Sequence, residues 1–210
     1  MNVTLKWLGH ASFKIYQDEK IIYIDPWQIT NEVNDATLVL VSHSHFDHFS
    51  PEDIEKISTF DTKLVAPADV IAKQKNGVTI SPGQTIEIND IKVMGVPAYN
   101  PKKEFHPKKN KWLGFIIQID SKKIYYAGDS DYIEEMKTLG EIDVAMIPVG
   151  GTYTMNAKEA AEAIEQIKPK LAIPYHWGQI VGSSEDAEQF AKITDCDVNI
   201  LAPEEETIIA

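Results

Sequence analysis

Four side chains that could bind a metal ion lie within six consecutive residues of this 210-residue chain: His43, His45, Asp47 and His48. His43 and His45 are two residues apart, so in an extended backbone their side chains point to the same side. Asp47 and His48 follow, where a turn can direct them to a second point nearby. Imidazole and carboxylate groups at this density predict a metal site. Surface histidines or a purification tag are disfavoured, because the cluster is internal and follows an apolar segment.

The segments on either side predict where the cluster lies in the fold. Residues 37–42 are mainly apolar, which is typical of a buried strand. Ser50 and Pro51 are typical of the N-cap and the first residue of a helix. The cluster is therefore predicted in a loop beyond the carboxyl end of a strand, where open α/β sheets place their functional sites.

Three more candidate ligands occupy comparable positions. Asp129 follows Gly128 at the end of an apolar segment, and His176 follows the apolar segment 171–175. His106 lies in a loop before a predicted strand. Each of them alone would more often be a cap or a hydrogen-bonded core residue. Together with the cluster they make seven ligands, which suits two metal ions with three ligands each and one bridging carboxylate, leaving open positions for water.

Two other polar residues adjoin predicted strand ends. His10 lies between small residues in a predicted turn, and we predict either a hydrogen-bonding or proton-donating role beside the site or a structural one. Asp25 ends the apolar segment 20–24, and a buried carboxylate needs hydrogen bonds or a cation. It either caps the following turn or supports a metal ligand through a hydrogen bond.

Length and composition limit the class of protein. A chain of 210 residues suits a single domain, which we predict over residues 1–210. A net charge of −12 opposes binding to nucleic acid or to an anionic membrane. Cys196 is the only cysteine, so an intramolecular disulfide is excluded. With no signal-like or membrane-spanning segment, we expect a soluble cytoplasmic protein with a small-molecule substrate. Homo-oligomerisation is left open.

Residue patterns predict alternating strands and helices without a repeat or a low-complexity linker. The predicted strands occupy residues 3–8, 12–16, 20–24, 37–42, 63–66, 84–88, 91–96, 112–119, 123–127, 143–147, 171–175, 198–201 and 207–209. The predicted helices occupy residues 51–58, 68–75, 156–168 and 184–194. Gly77 is predicted to stop the second helix, and Asn156 to open the third in a capping box with Glu159.

The spacing His-x-His-x-Asp-His resembles the signature of the metallo-β-lactamase superfamily, and the family's later positions match His106, Asp129 and His176. Segments 9–12, 25–27 and 148–153 resemble the branch that contains ascorbate-6-phosphate lactonases and N-acyl-phosphatidylethanolamine phospholipases, above all its short metal-dependent hydrolases. This resemblance implies an α/β fold of the αββα sandwich type, with two mixed β-sheets face to face, helices outside and metals at one edge.

The resemblance also implies how the ligands divide between two metal ions. One ion would be held by His43, His45 and His106. The other would be held by Asp47, His48 and His176, and Asp129 would bridge the two ions. Two dications about 3.5–4 Å apart lower the pKa of a shared water towards ~7 and stabilise the charge of a hydrolytic transition state. Asp47 could also accept a hydrogen bond from the attacking hydroxide. Histidine and carboxylate ligands suit Zn, Mn, Ni or Fe.

We therefore predict a dinuclear metal-dependent hydrolase that uses a bridging hydroxide on a small anionic ester, lactone or phosphodiester. A nuclease on the same metals is disfavoured by the net charge and by the lack of inserted domains. A redox di-iron site is the other alternative, although such members usually carry a glutamate where His45 stands. Five lysines surround His106, either as a solvated loop or as a gate that attracts an anionic substrate: Lys102, Lys103, Lys108, Lys109 and Lys111.

Overall fold

Two mixed β-sheets of seven strands each form the centre of the protein in the computed structural model, which describes residues 2–209. The first sheet contains, in spatial order, β14 (Glu206–Ile209), β1 (Val3–Gly9), β2 (Ser12–Gln17), β3 (Lys20–Ile24), β4 (Ala36–Leu40), β5 (Ser58–Ala66) and β6 (Val78–Thr79). The second contains β13 (Asp197–Val198), β12 (Leu171–Tyr175), β11 (Val144–Pro148), β10 (Lys122–Tyr126), β9 (Leu113–Ile119), β8 (Ile91–Pro97) and β7 (Thr85–Ile88).

Helices cover the outer faces of the two sheets. They are α1 (Pro51–Ile57), α2 (Ala68–Gln74), α3 (Ala157–Ile167) and α4 (Ser184–Ile193), with short 3-10 helices at Lys108–Asn110 and Glu134–Thr138. One apolar core lies between the sheets, where strands such as β1 alternate buried and half-buried residues. A second core joins the second sheet to α3 and α4, and a third joins the first sheet to α1 and α2. The predicted αββα sandwich is therefore confirmed.

The direction of the strands decides where the functional residues gather. Strands β3 and β4 run parallel, as do β10, β11 and β12. Strand β1 runs in the same direction as β3, because both are antiparallel to β2, and β8 likewise runs with β10. Within each sheet, the segments that follow these strands therefore emerge at the same end of the sheet, where the carboxyl ends of the strands lie.

Local signals place most of the element boundaries. Ser50 caps α1 by accepting a hydrogen bond from Asp53 N at 3.3 Å. The capping box of α3 is present, since Asn156 Oδ1 accepts from Glu159 N and Glu159 Oε2 accepts from Asn156 N, both at 3.0 Å. Both of these predictions are confirmed. Among the described residues, no helix is long and apolar enough to cross a membrane.

Some boundaries differ from the predicted ones. Helix α2 ends at Gln74, and it is Lys75 that adopts the left-handed conformation and donates its N–H to Ile71 O at 2.8 Å. The prediction that Gly77 is the stop is therefore wrong. Gly77 instead lies against β5, where a Cβ would come within 2.9 Å of Leu64 O. Strand β5 begins at Ser58, earlier than predicted, and β6 and the 3-10 helix at 134–138 were not foreseen.

Candidate metal centre

The predicted ligands converge from four loops at the edge just described. The loop after β4 carries the cluster 43–48, and the loop between β8 and β9 carries His106. Asp129 follows β10 and His176 follows β12. All of these side chains are buried except that of His45, which is half-buried. The structure thus brings together residues that are as far as 133 positions apart in the chain.

The candidate ligand atoms form three overlapping groups, in each of which they lie within 4.8 Å of one another. The first group is His43, His45 and His106, the second is His10, Asp47, His48 and His176, and the third is Asp25, His43 and His48. Within the first, His43 Nε2 lies 3.1 Å from His45 Nδ1. Within the second, Asp47 Oδ2 lies 3.1 Å from His10 Nε2 and 3.7 Å from His48 Nε2. The first two groups contain the two implied ligand sets, with His10 added to the second, while the third joins His43 to His48.

Asp129 lies between the first two groups. Its Oδ2 is 3.2 Å from His106 Nε2, in the first group, and also 3.2 Å from His176 Nε2, in the second. Its Oδ1 is 3.3 Å from His48 Nε2. A carboxylate that contacts both groups is the geometry expected of a bridging ligand.

The buried polar atoms of the centre fit divalent cations. Among the described residues, several of these atoms have no hydrogen-bond partner: His48 Nε2, His106 Nε2, Asp129 Oδ1 and His176 Nε2. A buried polar atom without a partner costs about 1–3 kcal/mol, so several in one place call for a ligand. Imidazole nitrogens and a carboxylate oxygen, all directed to one region, are donors that bind Zn or Mn.

The carboxylate of Asp25 supports His48. It accepts hydrogen bonds from Ser42 N at 2.7 Å and Ser42 Oγ at 2.5 Å, and from His48 Nδ1 and Tyr126 OH, both at 2.7 Å. Since a carboxylate only accepts, His48 carries its proton on Nδ1 and presents Nε2 to the centre. The turn that follows is held instead by Asp53, which accepts from the N–H of residues 28 and 29. Of the two roles considered for Asp25, the structure shows support of a candidate ligand.

Other candidate ligands are oriented in the same way. Ser42 Oγ donates to Asp25, so at 2.9 Å it accepts from His43 Nδ1 and leaves His43 Nε2 without a proton, 3.1 Å from His45 Nδ1. Asn100 Oδ1 accepts from both His106 Nδ1 at 2.8 Å and His106 N at 3.0 Å, and Asn100 Nδ2 donates to Tyr153 O at 3.0 Å. Asn100 therefore fixes the depth of His106, which lies outside the short 3-10 helix of its loop.

Aromatic packing and backbone conformation complete the positioning. The Trp112 ring lies 4.8–5.7 Å from those of three candidate ligands: His43, His45 and His106. Trp112 Nε1 donates to Asp69 Oδ2 at 2.9 Å. Before Asp129, Gly128 has φ +64, and a Cβ there would collide with the carbonyl of Leu113. Only glycine fits this close approach.

His10 contacts the second group directly. Its Nε2 donates to Asp47 Oδ2 at 3.1 Å, and its ring lies 4.1 Å from that of His176. Its carbonyl accepts from His176 N and from Trp7 Nε1, both at 3.0 Å. The side chain is 1% exposed and its φ is 48°. A non-glycine residue held at positive φ costs about 1–3 kcal/mol and tends to occur at functional sites.

The electrostatics favour binding of a cation. Burial lowers the pKa of His43 well below its ordinary value and also lowers that of His45, which keeps both imidazoles neutral and able to bind metal. Burial opposes ionisation of Asp129, but His176 and His48 hold the pKa of its carboxyl well below the usual range. Burial likewise opposes charge on His48, yet Asp129 and Asp25 raise its pKa well above the ordinary value, so a metal ion that binds His48 Nε2 must displace a proton from it.

Two of the loop lysines are bound to acidic groups. Lys103 Nζ lies 2.6 Å from Asp131 Oδ1 and donates to Thr154 O, also at 2.6 Å. Lys108 Nζ lies 2.8 Å from Glu135 Oε1. Their charges are therefore partly compensated within the loop region.

Comparison with known proteins defines the class. A family model described as the beta-lactamase superfamily domain matches residues 4–176, and the chain belongs to this superfamily. A UPF0173 metal-dependent hydrolase of Pyrococcus abyssi is 36% identical over 225 residues, covering 97% of this chain and 98% of the relative. Within the superfamily, the chain therefore belongs to the UPF0173 metal-dependent hydrolases.

Solved structures agree with this assignment. A protein from Parabacteroides distasonis, proposed to be a metal-dependent hydrolase, superimposes with a TM-score of 0.83 at 31% identity, covering 94% of this chain and 92% of that one. Igni18, a metallo hydrolase from Ignicoccus hospitalis, gives a TM-score of 0.81 at 24% identity over 100% and 99% of the two chains, which shows the shared fold. The predicted family and enzyme class are confirmed, while the ligand set, the metals and the substrate stay predictions.

Proposed function

We propose that the protein is a dinuclear metal-dependent hydrolase that cleaves a small ester or lactone, with a phosphodiester as the other substrate class. The observation that supports this most directly is the position of Asp129, which contacts His106 in one ligand group and both His48 and His176 in the other. A carboxylate shared between two groups of imidazole nitrogens suits two adjacent dications.

In this proposal, His43, His45 and His106 hold one ion, and Asp47, His48 and His176 hold the other, with Asp129 common to both. When bound, the ions supply Lewis acidity to the scissile group and lower the pKa of the attacking water. Zn, Mn, Ni and Fe all suit this ligand set.

The chain's own residues position the reacting groups. Asp47 lines the cavity at the centre, where it can accept a hydrogen bond from the attacking water as well as bind metal. His10 donates to Asp47 Oδ2 but does not line the cavity. We therefore assign His10 the role of orienting the Asp47 carboxylate, in preference to that of an acid for the leaving group. Asp25 and Asn100 hold the rings of two ligands.

Turnover by protein stripped of metal and then reloaded tests the proposal. The metal-free protein, prepared with a chelator, should hydrolyse neither a simple lactone, nor an alkyl ester, nor bis(p-nitrophenyl) phosphate. Adding Zn or Mn should restore activity on at least one of them, whereas Asp129→Asn should stay inactive under the same loading. Turnover that persists after elemental analysis has confirmed metal removal would overturn the proposal.

The alternative functions give different results in the same assay. A nuclease would cleave linear or plasmid DNA in preference to every small ester in the panel. A redox site would retain iron and show no hydrolysis after reloading with Zn. The predicted anionic character of the substrate is a separate question, because two of the loop lysines are already bound to Asp131 and Glu135.

A further inference from the structure

The cavity beside the metal centre has two kinds of lining. It measures about 240 Å³, and its lining consists of five candidate ligands and four aromatic or aliphatic residues: His45, Asp47, His106, Asp129 and His176; and Phe46, Phe105, Tyr153 and Ile180. We call the second set the apolar wall. Phe46 is 70% exposed, Phe105 44% and Ile180 40%. Large apolar side chains left exposed around one concave site are typical of a ligand-binding surface.

Neighbouring contacts hold the apolar wall in place. The Phe46 ring packs edge-on against Trp27, with the ring centroids 6.1 Å apart, and the Phe105 ring packs edge-on against Tyr153 at 4.8 Å. Ile180 lies in the loop between β12 and α4, and this loop is bonded to the segment after β3 through Gln179 Nε2, which donates to Gln28 Oε1 at 3.1 Å. Three of the four segments that form the wall therefore have a contact of their own that supports them.

Among the residues that the structure describes, no lysine lines the cavity. The sequence contains no arginine at all, although arginine is the usual partner of phosphate and carboxylate groups. The nearby Lys103 is bound to Asp131 and to the carbonyl of Thr154. A charged substituent placed against the apolar wall would lose its hydration without gaining a partner.

The volume indicates the size of the group that fits inside the cavity. A cavity of about 150 Å³ accommodates benzene. A cavity of about 240 Å³ therefore has room for a scissile group and one aromatic ring or alkyl chain of similar size. We infer that the substrate carries an uncharged aromatic or aliphatic group next to its scissile bond, and that this group lies against Phe46, Phe105, Tyr153 and Ile180. This inference rests on the proposed function, because it assigns the substrate class of the same site.

Binding of hydroxamates to the metal-loaded protein tests the inference without requiring turnover. The hydroxamate group attaches to the metal ion, and its substituent then lies in the cavity. Acetohydroxamate serves as the reference, and hexanohydroxamate extends it by four methylenes, for which full burial sets an upper limit of about 200-fold in affinity. We expect hexanohydroxamate to bind at least about tenfold more tightly than acetohydroxamate. Adipic monohydroxamate, which has the same chain length but ends in a carboxylate, should bind at least about tenfold more weakly than hexanohydroxamate.

Three variants locate the effect on the wall. Ile180→Lys should weaken the binding of hexanohydroxamate and strengthen that of adipic monohydroxamate, so that the protein prefers the charged compound. Ile180→Leu should keep the wild-type preference for hexanohydroxamate. Phe60→Ala is the control, because Phe60 is a fully exposed phenylalanine on β5 and does not line the cavity. It should bind all three hydroxamates like the wild type.

The outcomes separate this inference from the proposed function. If acetohydroxamate binds but the hexanoyl chain gives no gain, or if the adipic compound binds more tightly, the inference is overturned and the metal site stands. An Ile180→Lys variant with unchanged preference would also overturn it. If acetohydroxamate itself does not bind, the proposed open metal site fails, and the inference fails with it.

Discussion

The Asp25 carboxylate is 0% exposed and accepts four hydrogen bonds, of which the one from His48 Nδ1 reaches a candidate ligand. Asp25→Asn keeps the size of the side chain but replaces one acceptor oxygen by an NH₂ group. In one orientation this group faces Ser42 N, and in the other it faces the His48, Ser42 and Tyr126 donors. In either orientation the NH₂ group faces a buried hydrogen-bond donor that needs an acceptor. The negative charge that supports the His48 imidazole is also lost.

The expected size of the effect follows from these contacts. Leaving at least one buried donor without its acceptor should lower the free energy of unfolding by about 1–3 kcal/mol. Weakening the support of a metal-binding histidine typically lowers metal affinity about 10- to 100-fold. The ion held by Asp47, His48 and His176 should be affected most, because Asp25 contacts His48 directly but reaches His43 only through Ser42 Oγ. A competition titration of Zn against a chromophoric chelator should therefore show one binding step weakened more than the other.

Asp35→Asn provides a matched control. Asp35 is a half-buried carboxylate that lies beside the same sheet and accepts from Lys14 Nζ at 2.6 Å and Tyr23 OH at 2.8 Å. None of its hydrogen bonds within residues 2–209 reaches the metal centre, so its metal affinities should match the wild type. If Asp25→Asn folds, as judged by circular dichroism, and binds both ions within twofold of the wild type, the supporting role of Asp25 is refuted.

Further substitutions test the other parts of the centre. His48→Ala should halve the metal content in elemental analysis, because in the proposed site His48 holds one ion only, whereas Asp129→Ala should weaken both binding steps. His10→Ala should lower kcat about 10- to 100-fold at full metal content, and an unchanged kcat would remove its role in orienting Asp47. The loop lysines that remain are Lys102, Lys109 and Lys111, and each should contribute ~0–1 kcal/mol to the attraction of an anion. When they are replaced by glutamine, the salt dependence of kcat/KM for an anionic ester should therefore hardly change. A flattened salt dependence would instead support the electrostatic gate.

Much of the centre could be predicted from the sequence, because its ligands follow apolar segments. A strand that is buried on both faces reads as a continuous apolar run, and the residue after it emerges at the sheet edge. This holds for His43, Asp129 and His176, each of which follows a parallel strand. The capping signals of Ser50 and Asn156 are local as well, so they identified two helix starts.

The supporting residues could not be predicted, because their contacts join distant segments. Asn100 binds His106 within a loop that has no apolar periodicity, and nothing local distinguishes it from a solvated asparagine. Asp25 reaches His48 across 23 positions, so its two candidate roles could be separated only in three dimensions. The apolar wall likewise combines residues of four segments, among them Phe46, which the sequence placed simply between two ligands.

The predicted end of α2 lies within one residue of the observed one, but the residue that stops the helix was assigned wrongly. Glycine is favoured wherever φ is positive, so Gly77 was the stronger local signal. Gly77 does have a φ of +124, but it lies beyond the helix and against β5, and Lys75 adopts the left-handed conformation that ends α2.

The number of metal ions per chain tests the dinuclear proposal most directly. The protein should be purified, stripped with a chelator, reloaded with excess Zn or Mn and freed of loosely bound metal before elemental analysis. Two ligand groups that share Asp129 predict close to two ions per chain, and Asp129→Ala should retain fewer. One ion or none per chain in a folded, reloaded protein would contradict the dinuclear site.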